Sequence, residues 1–234
     1  MPFIYRWLTS VQTQLLGPRC VLCRAPASLA RELCGDCEQE LPWLTHACVH
    51  CALPLTGTVG ITRCHRCARQ PRFDRALAAF AYDQPIRWLI TRLKFDGRLA
   101  HARLLGDLLA ERVVHAGLDA PEMLVPVPLH PSGYRRRGFN QSERLARRIA
   151  RVQRRPVASG LVERVRDTVA QSTLSADRRA ANVRRAFVCH GSLAGRHVAI
   201  VDDVVTTGQT ALAVARCLRT AGAARVDLYC VGRA

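Results

Sequence analysis

V-A-I-V-D-D-V-V-T-T-G-Q-T, residues 198–210, is the stretch whose reading decides the fold. Val198 to Val201 is apolar and uncharged, the pattern of a strand buried in a parallel sheet, and it delivers Asp202 and Asp203 to the strand's C-terminal end. Open α/β sheets place ligands there. Thr206, Thr207 and Gly208 then make a short polar turn, and Gln209 to Leu218 has the composition of a helix. The turn opens a helix N-terminus, where unpaired backbone N–H groups and the helix dipole favour a phosphate. Two carboxylates beside a phosphate cannot bind the phosphate itself. They suit hydroxyls or a divalent ion, so the pair and the turn together describe a phosphorylated sugar. A plain capped strand-to-helix turn is the simpler reading of a bare Asp-Asp, and the attached Thr-Thr-Gly-Gln-Thr argues against it.

The N-terminal third is a different kind of polypeptide. Cys20-x-x-Cys23, Cys34-x-x-Cys37, Cys48-x-x-Cys51 and Cys64-x-x-Cys67 are four knuckles separated by 10, 10 and 12 residues. Each presents two thiolates to one metal, and zinc takes four, so eight sulfurs make two structural zinc sites. Disulfides are the competing reading. No signal peptide precedes the cysteines, which favours a reducing cytoplasmic setting and metal. Iron–sulfur clusters also fit eight thiolates, though the even knuckle pattern favours zinc. Few large apolar side chains lie between the knuckles, and so short a segment rarely folds by burial alone. His46, His50 and His65 read as surface histidines, while Cys189, Cys217 and Cys230 lie outside the knuckles and are not expected to carry chemistry, Cys217 and Cys230 reading as small residues of the core.

Lys and Arg total 35 against 18 Asp and Glu, a net charge of +17, and Lys94 is the sole lysine. Such a field steers polyanions. The arginines cluster at Arg135–Arg137, Arg144–Arg154 and Arg178–Arg185, more than one small ligand requires, which predicts salt-sensitive binding of single-stranded DNA. In a helix beginning near Ser142, Leu145, Ile149 and Val152 form an apolar stripe and the arginines cover the remaining faces. Tyr134 and Phe139 flank the first cluster as candidates for stacking on bases, whereas Phe73 and Trp88 read as core.

Residues 1–16 carry Ile4, Trp7, Leu8, Val11, Leu15 and Leu16 at helical spacing, an amphipathic segment too short and too interrupted to span a bilayer. The chain is expected in the cytoplasm, with peripheral contact at the inner membrane as a secondary expectation. Phe73–Tyr82 reads as a strand, Pro85 opens a helix through Lys94, and Gly97 separates it from a Leu-rich helix ending near Gly117. The sheet proper is expected to start at Leu124. Ser175 is a candidate N-cap.

Residues 198–210 resemble the 5-phosphoribosyl-1-pyrophosphate (PRPP) motif of type I phosphoribosyltransferases. Together with the paired knuckles, P-V-P-L at 126–129, R-R-R-G-F-N-Q-S at 135–142 and the spacing of Gln171, Arg178 and Asn182, nearly the whole chain resembles the ComF/GntX family, linked to competence and DNA uptake. The resemblance implies an α/β fold with a mostly parallel sheet and flanking helices, plus a small zinc-ribbon module. The corresponding domains are the 1–16 segment, a double zinc ribbon at 17–70 and a phosphoribosyltransferase-like domain at 71–234. It implies sequential metal pairing, with interleaved pairing left open by the spacing alone. It also implies that Asp202 and Asp203 hold the ribose hydroxyls of PRPP, directly or through Mg²⁺, and that Thr206, Thr207, Gly208, Gln209 and Thr210 hold the 5-phosphate. In related folds a loop after an earlier strand holds the pyrophosphate. That strand is Leu124–Val127 here, followed by Pro128, Leu129 and His130. Arg135, Arg136 and Arg137 would add charge from a loop that Gly133 and Gly138 allow to move. Lys94, Gly138, Phe139, Asn140, Gln141, Gln171, Arg178 and Asn182 are candidates for substrate or nucleic-acid contact.

Two functions remain. One is a PRPP-binding protein of DNA uptake that handles incoming single-stranded DNA, with other competence proteins as further partners. The other is a genuine phosphoribosyltransferase of nucleotide metabolism acting on an unidentified base or amine. A receiver-like domain also carries an Asp pair after a strand, but it needs more strands than the residues after Thr210 provide. No Ser-His-Asp or Cys-His grouping points to nucleophilic catalysis.

Overall fold

The computed structural model describes residues 17–27, 31–56, 60–166 and 186–234. The 1–16 segment, Ser175, Gln171, Arg178 and Asn182 lie outside them. The chain divides into two compact units, Met1–Pro42 and Trp43–Ala234, so the second pair of knuckles belongs with the larger unit.

The smaller unit contains the first two knuckles and the short helix α1 (Gly35–Gln39), which starts directly after Cys34. Its first knuckle closes by Arg24 N–H donating to Cys20 O at 3.0 Å, with Arg24 left-handed at φ 70°. In the larger unit the third knuckle repeats this design. Ala52 N–H donates to Cys48 O at 2.7 Å, Ala52 has φ 54°, and α2 (His65–Arg69) starts directly after Cys64.

The rest of the larger unit is built on four parallel strands in the order β1 (Ala76–Ala81), β6 (Arg225–Arg233), β5 (His197–Val205), β2 (Met123–Pro126). The sheet therefore begins at β1, not at Leu124. β1 finds its partner in the last strand of the chain, Ala76 opposite Leu228 and Ala81 opposite Arg233, a pairing that local pattern cannot announce. β5 is central, with Val198, Ala199, Ile200 and Val201 all at 0% exposure. A short antiparallel ribbon, β3 (Val162–Arg164) with β4 (Phe187–Cys189), packs with α7 (Gln209–Thr220). α3 (Ile86–Asp96), α4 (Leu99–His115) and α6 (Gln141–Gln153) form a second helical group.

α4 and α6 approach closely because Gly106 has no side chain. A Cβ there would meet Arg148 Cγ at 2.7 Å. Arg148 in turn makes a two-pronged ion pair with Asp107, at 2.6 and 2.7 Å, so this arginine joins helices instead of facing a polyanion. The core between α7 and the sheet is aliphatic: Val125, Val198, Ile200, Val226 and Leu228 against Val214 and Leu218. Cys230 is fully buried in it, and Cys189 and Cys217 border it half-buried. Phe73 belongs to it as well. Trp88 does not: it is 37% exposed, beside the His101 ring and under Arg92. The core reading of Trp88 is thus corrected: the indole packs on the α3–α4 surface and stays partly in water.

Candidate phosphosugar site and metal centres

β5 extends past Val201 to Val205, so Asp202 and Asp203 belong to the strand and inherit its burial, at 8% and 3% exposure. Beyond it Thr206 and Thr207 are exposed and Gly208 caps α7 at φ 74°. Gly208 offers no side chain to cap the helix; Thr207 Oγ1 accepts from Gln209 N–H at 3.4 Å, a long contact that a phosphate oxygen at this N-terminus can replace. Gly208 is favoured by its left-handed backbone, and a Cβ there would also crowd Arg72 Nη1 at 3.1 Å. Arg72 uses that nitrogen to donate to Thr207 O at 2.8 Å.

The acid pair meets α3 and α6. Lys94 of α3 forms an ion pair with Asp203 Oδ2, and Gln141 Nε2 reaches Asp203 Oδ1 at 3.4 Å. Ser142 Oγ and the Asp203 amide both donate to Asp202 Oδ1, at 3.0 and 2.9 Å. Burial, reinforced by the neighbouring Asp203 charge, pushes the Asp202 carboxyl up to about 8 against the opposing pull of Lys94. A buried acid pair served by one ammonium is a site for hydroxyl donors or for a divalent cation. Its donor set, two carboxylates, suits Mg²⁺, which takes oxygen ligands and keeps several waters.

The R-R-R-G-F-N-Q-S segment turns out to be a helix and a connection. Pro131 starts α5 (Pro131–Arg137), His130 caps it by accepting from Ser132 N–H, and Gly138 ends it at φ 75°. The expected mobile loop is thus helical and Gly133 sits inside it. Sequence pattern missed this because the arginines carry no apolar period. Arg137 donates to Gln141 Oε1 at 3.1 Å and lies over the Phe95 ring, so Arg137, Gln141, Asp203 and Lys94 form one chain of contacts. Arg135, Arg136 and Tyr134 are exposed. Phe139 is 8% exposed and packs with Leu93 and Ala102, an anchor and not an open stacking surface. Asn140 spends its side chain on backbone, capping Ser142 N–H at 3.0 Å and donating to Val127 O at 3.0 Å. Pro128 and Leu129, half-buried, follow directly after Val127.

Ser142, Arg72 and Arg233 touch this site and were not among the residues singled out. For Ser142 a signal existed, since it follows the Asn140 cap in the first turn of a helix. For the two arginines none did.

The sulfurs sort sequentially. Cys20, Cys23, Cys34 and Cys37 form one cluster and Cys48, Cys51, Cys64 and Cys67 the other, each within 4.8 Å, which closes the interleaved alternative. Cys23 and Cys34 Sγ are 3.6 Å apart and Cys51 and Cys64 Sγ 3.7 Å. A disulfide needs about 2.0 Å, whereas a zinc tetrahedron with Zn–S of about 2.3 Å has edges of about 3.8 Å. The residues fit zinc. Burial alone would raise Cys20 and Cys64, yet the N–H groups around them, joined by the Cys23 sulfur at Cys20 and by the Cys51, Cys67 and Cys48 sulfurs at Cys64, hold the two thiols down to about 6 and about 7. Cys37 is pushed up by the Cys23 sulfur and Cys67 by burial and the Cys51 sulfur. That crowding of thiolates is what a dication relieves. His46 bonds Ile61 O at 3.0 Å, whereas His50 is not a surface histidine. It is half-buried, with Nδ1 2.9 Å from Phe73 O.

A parallel sheet whose central strand carries a buried acid pair into a glycine-opened helix N-terminus, preceded by paired cysteine clusters, defines a phosphoribosyltransferase-like protein with a zinc-ribbon module. Residues 11–70 match the double zinc ribbon domain family and residues 135–233 the phosphoribosyl transferase domain family. The chain is 38% identical over 220 residues to the DNA utilization protein YhgH of Escherichia coli K12, covering 92% of this chain and 96% of that protein. It is 33% identical to competence protein F of Haemophilus influenzae Rd, covering 92% and 97%. It is 27% identical to competence protein ComFC of Streptococcus pneumoniae R6, covering 88% and 82%. The chain belongs to the ComF/GntX family. Among the described residues no helix is long and apolar enough to cross a membrane.

Proposed function

We propose that this protein binds PRPP with Mg²⁺ at the C-terminal edge of β5 and acts in DNA uptake, where it handles incoming single-stranded DNA. The observation that carries the ligand is the pairing of a buried Asp202–Asp203 couple with a helix N-terminus opened by Gly208 a few residues later. The ribose hydroxyls donate to the carboxylates. The 5-phosphate accepts from the first amides of α7 and from Thr206, Thr207 and Thr210. Bound Mg²⁺ would offset the charge of the pyrophosphate. Lys94, already at Asp203, keeps the pair neutral enough to fold and stands ready to meet the pyrophosphate when the hydroxyls arrive. The names of the relatives in Escherichia coli and Haemophilus influenzae support the biological setting.

The nucleic-acid half rests on α6 and the turn at its C-terminal end. Arg144, Arg151, Arg154 and Arg155 are exposed and make no ion pair among the described residues, while Arg147 and Arg148 are engaged with Glu143 and Asp107. Four such arginines within twelve residues attract a phosphate backbone.

The second reading, transfer to an unidentified base or amine with release of pyrophosphate, uses the same site. Positioning and charge would drive it, with no dedicated nucleophile. Incubating the purified protein with PRPP and Mg²⁺ against a panel of bases, amines and nucleic acids, and measuring pyrophosphate, separates transferase from binder. The double substitution Asp202→Asn, Asp203→Asn should abolish PRPP binding with two zinc ions retained; unaltered affinity would sink the assignment of the site.

A further inference from the structure

Two arginines connect the second cysteine cluster to the phosphate loop. Arg233, near the end of β6, is 5% exposed. Its Nε donates to the carbonyl of Cys51 at 3.0 Å. Its Nη1 donates to Val205 O at 2.9 Å and to the backbone oxygens of Thr206 and Ala234. One guanidinium thus holds a metal ligand's own backbone on one side and the entry to the phosphate loop on the other. Among the described residues Arg233 pairs with no Asp or Glu side chain, and its guanidinium lies against the Thr206 carbonyl at the entry to the loop.

The second connection runs through the knuckle's other residues. His50, between Cys48 and Cys51, accepts Phe73 N–H on its carbonyl at 3.2 Å and holds Phe73 O with Nδ1 at 2.9 Å. That fixes the chain at Arg72–Phe73, and Arg72 donates to Thr207 O at 2.8 Å. Successive carbonyls of the loop, Val205, Thr206 and Thr207, are therefore all held by arginines that the Cys48–Cys51 knuckle positions. With their carbonyls turned to these donors, Thr206 and Thr207 have their hydroxyl protons left to donate to a ligand; Thr207 Oγ1 also accepts from Gln209 N–H at 3.4 Å.

We propose that the second zinc ribbon is a working part of the phosphate site: through the positioning residues Arg233 and Arg72 it sets the shape and charge of residues 205–208, so metal at Cys48, Cys51, Cys64 and Cys67 is required for the loop to hold a 5-phosphate. The inference rests on the PRPP reading for the identity of the ligand, but not for the coupling itself. A ribbon serving only as a folding module has no need to reach the loop from both sides.

The test uses the full chain in four forms: wild type, Cys64→Ser, Arg233→Lys and Arg72→Gln. Amide hydrogen exchange reads the loop without a ligand, and calorimetry reads ribose 5-phosphate and inorganic pyrophosphate separately. In Cys64→Ser, zinc should fall from two per chain to one and exchange at residues 206–212 should rise about tenfold, with β2 and α6 unchanged. Arg233→Lys and Arg72→Gln should keep both zinc ions, raise exchange over the same residues and weaken ribose 5-phosphate about tenfold. Pyrophosphate affinity should hold within about twofold, since a merely loosened fold would weaken both ligands. Loop exchange equal to wild type in Arg233→Lys, or protection lost evenly across the chain, overturns the coupling. If Cys64→Ser does not fold, the arginine variants decide. If wild type ignores ribose 5-phosphate, the PRPP reading fails and the exchange data still decide the coupling.

Discussion

Ser142 Oγ donates to Asp202 Oδ1 at 3.0 Å, so the first turn of α6 touches the acid pair of β5 across 60 residues of sequence. The contact favours the ionised carboxylate that burial opposes. Ser142→Ala is expected to weaken PRPP binding about three- to tenfold and to leave zinc content at two, checked by calorimetry and metal analysis.

The same burial makes the unliganded site unstable toward high pH. The folded Asp202 pKa lies above its ordinary value, so between about 4 and about 8 the folded chain binds more protons than the unfolded one and stability falls as pH rises. Asp202→Asn removes the titration. In metal-free buffer the variant should be the more stable protein at pH 8, by about 1–2 kcal/mol, with the gap closing toward pH 4. Denaturant unfolding at several pH values measures this, and a gap independent of pH would contradict it.

Asn140 joins Val127 at the end of β2 to the start of α6. Asn140→Ala loses a helix cap and leaves a buried carbonyl without its donor, a loss of about 2 kcal/mol. PRPP affinity should fall with it, because Gln141 and Ser142 follow directly. Thermal unfolding together with a binding isotherm distinguishes this from a purely local effect.

Zinc should be present at two per chain, and chelation should expose the eight knuckle cysteines to alkylation. Mass spectrometry of the modified chain would show the outcome. Protection of the knuckles after complete metal removal would contradict a metal-built fold.

Single-strand DNA affinity should fall linearly with the logarithm of salt. Arg151→Ala, Arg154→Ala and Arg155→Ala together should flatten that slope by about two units. Arg148→Ala should instead lower stability, because Arg148 is committed to Asp107. Fluorescence anisotropy across a salt series checks the first expectation and thermal unfolding the second.

The strand, acid pair, turn and helix start at 198–210 and the cysteine knuckles were legible because each is a local arrangement: their residues are consecutive or nearly so in the chain. The helical state of Arg135–Arg137 was not, since a run of like charges has no apolar period and Pro131 and Gly138 alone mark its ends. Phe139 looked open beside three arginines and is packed against Leu93 and Ala102, which only the α3–α4 corner supplies.

The chain's order alone determined the fold class, the acid pair and polar turn that lead into a helix at Gln209, and four cysteine knuckles, because apolar period, helix-start chemistry and metal-ligand spacing act between near neighbours. Tertiary structure decided the rest: which knuckles share a metal, that β1 joins β6, that Lys94, Gln141 and Ser142 converge on the aspartates, and that Arg72 and Arg233 hold the loop from the second ribbon. These are contacts between residues far apart in the chain, and an arginine carries no mark in its own neighbourhood of the carbonyls it will meet.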